Sequence, residues 1–291
     1  MPAHLPTAPA RLAAALSAAV FPARCFCCGA FFQKPAAVEN KRILESPSST
    51  ETAGNIFSAV MAAVACPACR TFFVPVTSPI CLRCGTMFPS REGADHLCEA
   101  CLREPRPYGM ARCAGIYDAA LMKALHRLKY DQQVALARPL ARLLWTVYQR
   151  CWHDCPVDVV VPVPLHAKRL RKRGFNQAAL IVDQWRRPSS RIGGRQMPPV
   201  AADMLSRIRP TAPQTGLGRE ARFRNMKNAF VLTGRASPAD RHILLIDDVF
   251  TTGATVEACA RVLLRGGARR VDVLTLARAL DNRLARPRQC S

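Results

Sequence analysis

Short apolar runs alternate with helix-like segments along the second half of the chain. Four runs, at 111–117, 157–161, 242–246 and 271–276, predict buried strands, because strands covered on both faces are nearly continuously apolar. Residues 255–265 have apolar positions at helical spacing and end before a Gly-Gly pair, which is typical of a helix end. This βαβ order predicts an α/β domain, an open parallel sheet with helices on both faces.

Further helices are expected between the predicted strands. Asp118 is placed to cap one helix, a second covers about 136–143, and a third runs from Asn176 to Trp185. Residues 187–200 lack a periodic pattern and are expected to be irregular. The polar, arginine-rich segment 205–225 contains two prolines and two glycines, so we expect a mobile loop that ends in a short helix.

The first part of the chain is rich in cysteine. Eight of the 14 cysteines form four C-x-x-C pairs, which favours metal ligation in a reducing compartment over disulfides. Four thiolates meet the tetrahedral demand of structural zinc, so eight predict two zinc ions that stabilise the fold and do not catalyse. The predicted ligands are Cys25, Cys28, Cys66, Cys69, Cys81, Cys84, Cys98 and Cys101.

The spacing of the pairs suggests how they combine. The later pairs, at 81–84 and 98–101, are close enough in sequence for one zinc ribbon, and the earlier pairs form the other across a polar insertion at about 33–55. An interleaved pairing is also compatible with the spacing, and Cys27 is an alternative ligand in the first pair. A third alternative, that some pairs are only buried thiols, is disfavoured by the regular spacing.

These patterns divide the chain into four parts. We expect a short helix or a disordered lead at 1–20, a double zinc ribbon at 21–107, the α/β domain at 108–280 and a tail at 281–291. The lead resembles a signal peptide only weakly. No apolar run reaches the roughly 18 residues of a membrane span, so we expect no span and a cytoplasmic location.

Charge narrows the choice of partners. The chain has 42 lysines and arginines against 20 acidic residues, a formal net charge of +22. Such a surplus attracts nucleic acid or a phosphate-rich ligand, although a solvated basic surface accounts for the charge equally well. The aromatic content of 7% is modest, so a large base-stacking surface is not evident.

The segment 247–255, Asp-Asp-Val-Phe-Thr-Thr-Gly-Ala-Thr, lies between a predicted strand and a predicted helix. Open α/β sheets bind ligands at this edge. The carboxylates of Asp247 and Asp248 can accept hydrogen bonds from the vicinal hydroxyls of a ribose. The residues that follow, together with the helix N-terminus, form a cradle for a phosphate. This cradle comprises Thr251, Thr252, Gly253, Ala254 and Thr255.

Other interpretations of this segment explain less. Helix capping needs a single side chain and leaves most of the segment without a role. A Walker loop is excluded because no Gly-Lys-Ser/Thr follows, and a dinucleotide fingerprint is excluded because G-x-G-x-x-G is missing. A ligand with both sugar hydroxyls and a phosphate therefore suits the segment best.

At this motif the chain resembles the type I phosphoribosyltransferases, whose phosphoribosyl pyrophosphate motif joins a strand, two acidic residues and a threonine-glycine loop. More narrowly, it resembles the ComF family, and the cysteine pairs fit the zinc ribbons of that family. The narrower resemblance rests on Val-Pro-Val-Pro-Leu-His at 161–166, Arg-Gly-Phe-Asn-Gln at 173–177, Lys129-Tyr130, Gln214 and Arg222-x-x-Asn225.

The resemblance implies roles for these residues. Asp247 and Asp248 become the catalytic acids that bind the ribose, and the cradle binds its 5′-phosphate. Magnesium is expected with the pyrophosphate, held mostly by ligand oxygens and water. The implied pyrophosphate-binding residues are Val163, Pro164, Lys168, Arg169 and Arg173, although a solvated helix end is the alternative for the basic ones. The implied flexible loop contains Arg207, Gln214, Arg222 and Asn225.

Two functions are compatible with the sequence. As an enzyme, the protein transfers a phosphoribosyl group and releases pyrophosphate, while positioning and charge stabilise an oxocarbenium-like centre. As a binding protein, which the resemblance to a family linked to DNA uptake in competence implies, it handles single-stranded DNA, alone or with a DNA-uptake helicase or translocase. Phosphoribosyl pyrophosphate then regulates the protein and is not consumed.

Overall fold

The computed structural model describes residues 22–35, 52–90, 92–186, 197–210 and 219–279. The lead expected at 1–20, the tail expected at 281–291, Gln214 and most of the insertion expected at 33–55 lie outside these residues.

The cysteine-rich part contains short elements. Strands β1 (Ala23–Arg24) and β2 (Phe31–Phe32) pair antiparallel. Three helices follow, α1 (Ala53–Met61), α2 (Pro67–Arg70) and α3 (Glu99–Arg103).

Twelve strands and α-helices follow the cysteine-rich part within the described residues. They are β3 (Ala111–Ile116), α4 (Ala119–Tyr130), α5 (Ala137–Cys151), β4 (Val159–Pro162), α6 (Ala167–Arg173), α7 (Gln177–Asp183), β5 (Leu205–Arg207), α8 (Arg219–Met226), β6 (Phe230–Leu232), β7 (His242–Phe250), α9 (Ala254–Arg265) and β8 (Arg270–Arg278). Short 3₁₀ turns at Val134–Leu136 and Gln184–Arg186 precede α5 and follow α7.

Four of these strands form the predicted parallel sheet. The order is β3-β8-β7-β4, and every neighbouring pair is parallel. Pro162 of β4 lies beside Ile246 of β7, so the loop after β4 begins next to Asp247. The carboxyl ends of β4 and β7 therefore meet at one edge of the sheet.

The core has two layers, one on each face of the sheet. Leu244, Ile246 and Leu274 pack on the side of α4, α5 and α7, whereas Ile243 and Leu245 pack on the side of α9. Alternate residues of each strand thus serve opposite layers. The prediction of helices on both faces is confirmed.

Helix α1 corrects the expectation that 33–55 is a loop throughout. Thr52 caps the helix by accepting a hydrogen bond from the backbone N–H of Asn55 at 3.3 Å. Phe57 is fully buried and stacks on Phe73 at 4.0 Å between ring centroids. These residues share one core cluster with the helices on the α4 side of the sheet, so the first cysteine pairs are fused to the α/β domain.

Two further expectations change. Strand β7 continues to Phe250, four residues beyond the predicted end, and therefore contains both aspartates of the motif. Strand β5 pairs antiparallel with β6 where a loop was expected to begin. By contrast, Asp118 accepts from the backbone N–H of Ala119 at 2.7 Å, which confirms the predicted cap of α4.

The segment that follows the Cys66/Cys69 pair packs tightly on the sheet at Gly115. A Cβ at this position would lie 2.5 Å from the Phe73 ring and 2.8 Å from the carbonyl oxygen of Val74. Only glycine allows so close an approach. Within the described residues, no helix has both the length and the apolar character that crossing a membrane requires.

Candidate functional site: an acidic strand end, a phosphate-type turn and two cysteine groups

Two adjacent carboxylates lie near the end of β7, and they have different partners. Asp248 Oδ2 is 2.8 Å from Lys129 Nζ, and both side chains are mostly buried. Asp247 Oδ1 accepts a hydrogen bond from the backbone N–H of Asp248 at 2.8 Å. Asp247 also lies close enough to Arg207 for the two charges to influence each other. Since successive strand residues face opposite sides, α4 supports one acid and β5 lies near the other.

The surroundings of the two acids shift the pKa of Asp247 and that of Lys129. Burial, followed by the charge of Asp248, raises the pKa of Asp247 to about 7. Burial acts to lower the pKa of Lys129, but the attraction of Asp248 outweighs it and the pKa is raised. At neutral pH, Asp247 is therefore near its titration point, while Asp248 is paired with Lys129.

The predicted phosphate cradle is a tight turn from β7 into α9. Gly253 has φ +85°, and a Cβ there would lie 2.9 Å from the Phe250 ring, so the turn requires glycine. Thr251, Thr252 and Thr255 are partly exposed, while Gly253 and Ala254 are buried. The turn leaves the amino end of a 12-residue helix pointing out of the sheet edge, where N–H groups favour an anion.

Two residues in the loop after β4 do not present the backbone N–H donors that we predicted for pyrophosphate. The backbone N–H of Val163 donates to Ile246 O at 2.8 Å, and Pro164 has no N–H, so neither offers the expected donor to pyrophosphate. Asn176 holds this loop in place. Its Nδ2 donates to Val163 O at 2.9 Å, while its Oδ1 caps α7 by accepting from Ala178 N at 3.0 Å. Asn176 belongs to the Arg-Gly-Phe-Asn-Gln motif, but its contact with the loop after β4 was not predicted from that motif.

The basic residues predicted for pyrophosphate lie on α6. Lys168 is exposed, whereas Arg169 and Arg173 are partly buried. Arg173 lies over the ring of Tyr130, with 5.5 Å from Cζ to the ring centroid. Arg169 is close enough to Arg207 to lower its pKa, although burial is the larger cause. The helix therefore points some of its charge toward the strand that faces Asp247.

The residues expected in the flexible loop occupy different elements. Arg207 is the last residue of β5, is buried, and lies over the Phe230 ring at 5.4 Å. Arg207 thus lies in a paired strand at the start of the segment expected to form the flexible loop. Arg222 and Asn225 lie in α8, the short helix expected at the end of this segment.

The eight cysteines of the C-x-x-C pairs form two groups, and the pairing predicted from the spacing is confirmed. The first group is Cys25, Cys28, Cys66 and Cys69, and the second is Cys81, Cys84, Cys98 and Cys101. Within each group the sulfur atoms all lie within 4.8 Å of one another. The interleaved alternative is excluded, and Cys27 is not a member of the first group.

The geometry of both groups fits a tetrahedral metal. The sulfur atoms of Cys28 and Cys66 are 3.8 Å apart, and those of Cys84 and Cys98 are 3.7 Å apart. Four sulfurs at about 2.3 Å from a central zinc are separated by about 3.8 Å, so these distances match. Cys81 Sγ also accepts from the backbone N–H groups of Cys84 and Cys98 at 3.4 and 3.3 Å. Among the described residues, these are the groups that could hold a metal ion.

Several known proteins are similar to this chain. Residues 198–289 match the sequence profile of the phosphoribosyl transferase domain. The chain is 35% identical over 205 residues to the DNA utilization protein YhgH of Escherichia coli strain K12, which covers 69% of this chain and 85% of that protein. It is 31% identical over 205 residues to competence protein F of Haemophilus influenzae, with the same coverage of 69% and 85%. Among solved structures, an adenine phosphoribosyltransferase aligns at 12% identity with a TM-score of 0.32, over 54% of this chain and 80% of that one.

Proposed function

This chain belongs to the ComF family, and we propose that it binds phosphoribosyl pyrophosphate at the carboxyl edge of its sheet and transfers the phosphoribosyl group. One observation carries the proposal: Asp247 and Asp248 lie near the end of β7, which turns through Gly253 into the amino end of α9. A ribose 5′-phosphate needs both elements within a few ångströms, since hydroxyls bind carboxylates and phosphate binds helix N–H groups.

In the proposed reaction, a nucleophile forms a bond to C1 of the ribose while the bond from C1 to the pyrophosphate oxygen breaks. The electron pair of that bond leaves with pyrophosphate. The carboxylates of Asp247 and Asp248 hold the ribose and stabilise the positive charge that develops on it. Magnesium in this proposal comes with the pyrophosphate and is held by ligand oxygens and water.

The two cysteine groups have a structural part in this proposal. Each would hold one zinc ion with four thiolates, which leaves no open position for a substrate. Zinc supplies a covalent-like cross-link between segments that have little regular structure of their own. We therefore propose that both groups stabilise the fold and that neither takes part in the reaction.

Calorimetric titration of the full chain with phosphoribosyl pyrophosphate and magnesium tests the proposal. We expect binding by the wild type and a loss of at least about tenfold in affinity for Asp247→Asn/Asp248→Asn, because charged hydrogen bonds to hydroxyls are removed. Asp154→Asn is the matched control, since that side chain is 81% exposed and distant in sequence. Equal affinity of the double variant and the wild type would refute the proposal.

We propose a second function, binding of single-stranded DNA, on the evidence of α6. This seven-residue helix carries five lysines and arginines, and its Arg173 lies over Tyr130, which is 67% exposed. Cations beside an exposed ring can hold a phosphate and stack a base. The names of the relatives, which refer to DNA utilization and competence, agree with such a role and with a DNA-uptake helicase or translocase as partner.

Fluorescence anisotropy with a labelled single strand separates the two functions. We expect affinity to fall steeply with salt and to weaken in Arg171→Glu/Lys172→Glu, since phosphate contacts release counterions. The Asp247→Asn/Asp248→Asn variant should bind the strand as the wild type does. Unchanged DNA affinity in the α6 variant would remove this second proposal and leave the first intact.

A further inference from the structure

The turn between β7 and α9 is enclosed by two side chains. A Cβ on Gly253 would lie 2.9 Å from the Phe250 ring and 3.5 Å from Glu257 Oε1. Glu257 belongs to the first turn of α9 and is 2% exposed. A buried carboxylate thus lies beside the turn that we assign to the ribose 5′-phosphate, where its negative charge would repel that ligand.

Arg106 balances this charge. Its Nη1 is 3.0 Å from Glu257 Oε1, and the two side chains are only 6% and 2% exposed. Arg261 contributes a second, longer contact to Glu257 at 3.5 Å. Burial raises the pKa of Glu257, and the charge of Arg106 opposes that rise, so Arg106 pairs the carboxylate that lies beside the turn.

The same guanidinium also contacts the helix that contains Cys101 of the second cysteine group. Arg106 Nη2 donates to Ala100 O at 3.3 Å, within helix α3. Arg106 therefore joins the helix that contains Cys101 to the first turn of α9.

Arg278 makes the corresponding connection on the other side of the turn. At the end of β8, it donates to Cys84 O at 2.5 Å, to Cys84 Sγ at 3.7 Å and to the hydroxyl of Thr86. Its guanidinium carbon also lies 4.6 Å from the centroid of the Phe250 ring. Tyr108 closes this stack, with its ring edge-on to Phe250 at 6.3 Å.

We propose that Arg106 and Arg278 are positioning residues that couple the second cysteine group to the phosphate turn. Arg106 joins the helix that contains Cys101 to Glu257, and Arg278 joins Cys84 to the Phe250 ring. The two links fix the turn and neutralise the carboxylate beside it, so that the turn accepts an anion only while the cysteine group is assembled. This inference rests on the proposed phosphate-binding role of the turn.

A double-mutant cycle that neutralises both charges tests the Arg106 link. In Arg106→Gln, we expect the affinity of the full chain for phosphoribosyl pyrophosphate with magnesium to fall by at least about tenfold, because Glu257 loses its main partner. In Arg106→Gln/Glu257→Gln, affinity should return to within about twofold of the wild type, since the repelling charge is gone. Loss of affinity in the single variant and its rescue in the double variant, with both variants unfolding at the wild-type temperature, separates this role from support of the fold alone.

Controls keep the result interpretable. Arg103→Gln removes an arginine from the neighbouring helix whose ion pair with Glu99 is 77% and 76% exposed, and it should bind as the wild type does. If Arg106→Gln does not fold, Arg106→Lys replaces it, because lysine retains the positive charge. The affinity of Arg106→Lys should lie between that of the wild type and the roughly tenfold weaker affinity expected when Glu257 has no partner at position 106. Wild-type affinity in Arg106→Gln, or a double variant as weak as the single one, overturns the proposal.

Hydrogen exchange tests the coupling without ligand. We expect amides 250–257 to exchange faster after zinc is removed with a chelator and in Arg278→Lys, whereas the amides of α7 keep their wild-type rates. Faster exchange at the turn with no binding of phosphoribosyl pyrophosphate by the wild type would refute the proposed function and leave the coupling supported. Unchanged exchange at the turn under both conditions would overturn the coupling itself.

Discussion

Lys129 and Asp248 form a mostly buried ion pair, with 2.8 Å between Nζ and Oδ2, which joins the last turn of α4 to the end of β7. The pair explains why two adjacent acids can lie at a buried strand end. The positive charge of Lys129 compensates the charge of Asp248. The raised pKa of Asp247 reduces the negative charge that this second acid carries at neutral pH. A ligand with hydroxyl groups therefore meets one carboxylate paired with Lys129 and one whose pKa is raised to about 7.

Removal of Lys129 should destabilise the protein. In Lys129→Met, Asp248 remains buried without its partner, and we expect a loss of about 3 kcal/mol in the free energy of unfolding. Urea denaturation measures the loss. Lys129→Met/Asp248→Asn should recover most of it, and exposed Lys172→Met should change little. The assignment fails if Lys129→Met is as stable as the wild type.

Ligand affinity and stability should depend on pH in opposite directions. The pKa of Asp247 is raised to about 7, so the folded state binds this proton more strongly than the unfolded chain, whose pKa is about 4. This stabilisation is complete below about pH 4 and is lost as pH rises through 7. Affinity for phosphoribosyl pyrophosphate should instead rise over the same range, since the ionised acid binds hydroxyls.

Titrations of the wild type and Asp247→Asn check this pH dependence. The variant should lose the rise in affinity near pH 7 and the matching part of the stability profile. An identical pH profile in both proteins would show that another group is responsible.

Zinc content should follow the two cysteine groups separately. Cys84→Ser and Cys28→Ser should each lower the content by one ion, because a four-thiolate site loses a ligand. Cys151→Ser, outside both groups, is the control and should leave the content unchanged. Inductively coupled plasma mass spectrometry gives the count, and loss of both ions in either single variant would contradict two independent sites.

Asn176 should matter to both stability and ligand binding. Asn176→Ala removes the cap of α7 and the bond to Val163 O, and we expect a loss of about 1–2 kcal/mol in the free energy of unfolding. Affinity for pyrophosphate should fall as well, since the loop after β4 is no longer held beside Asp247. Exposed Asn55→Ala is the control, and thermal unfolding with calorimetric titration provides both measurements.

Local patterns determined a large part of this protein. The βαβ unit at the end of the chain, the cap at Asp118 and the grouping of the cysteine pairs all follow from spacings of a few residues. Apolar periodicity and metal-ligand spacing are short-range signals, and they act before any distant contact is known. The candidate site was located in the same way, because a strand end and a helix start are adjacent along the chain.

Only the tertiary structure decided which distant residues complete that site. Arg106 and Glu257 are 151 residues apart, and Arg278 and Cys84 are 194 residues apart, so no spacing indicates either contact. The three-residue strands β5 and β6 likewise form by pairing with each other, and this pairing places Arg207 in a strand at the start of the expected loop. A sequence pattern indicates which helix or strand a residue favours. A charge buried between two elements is stable only where the fold places an opposite charge beside it, and local patterns do not indicate that placement.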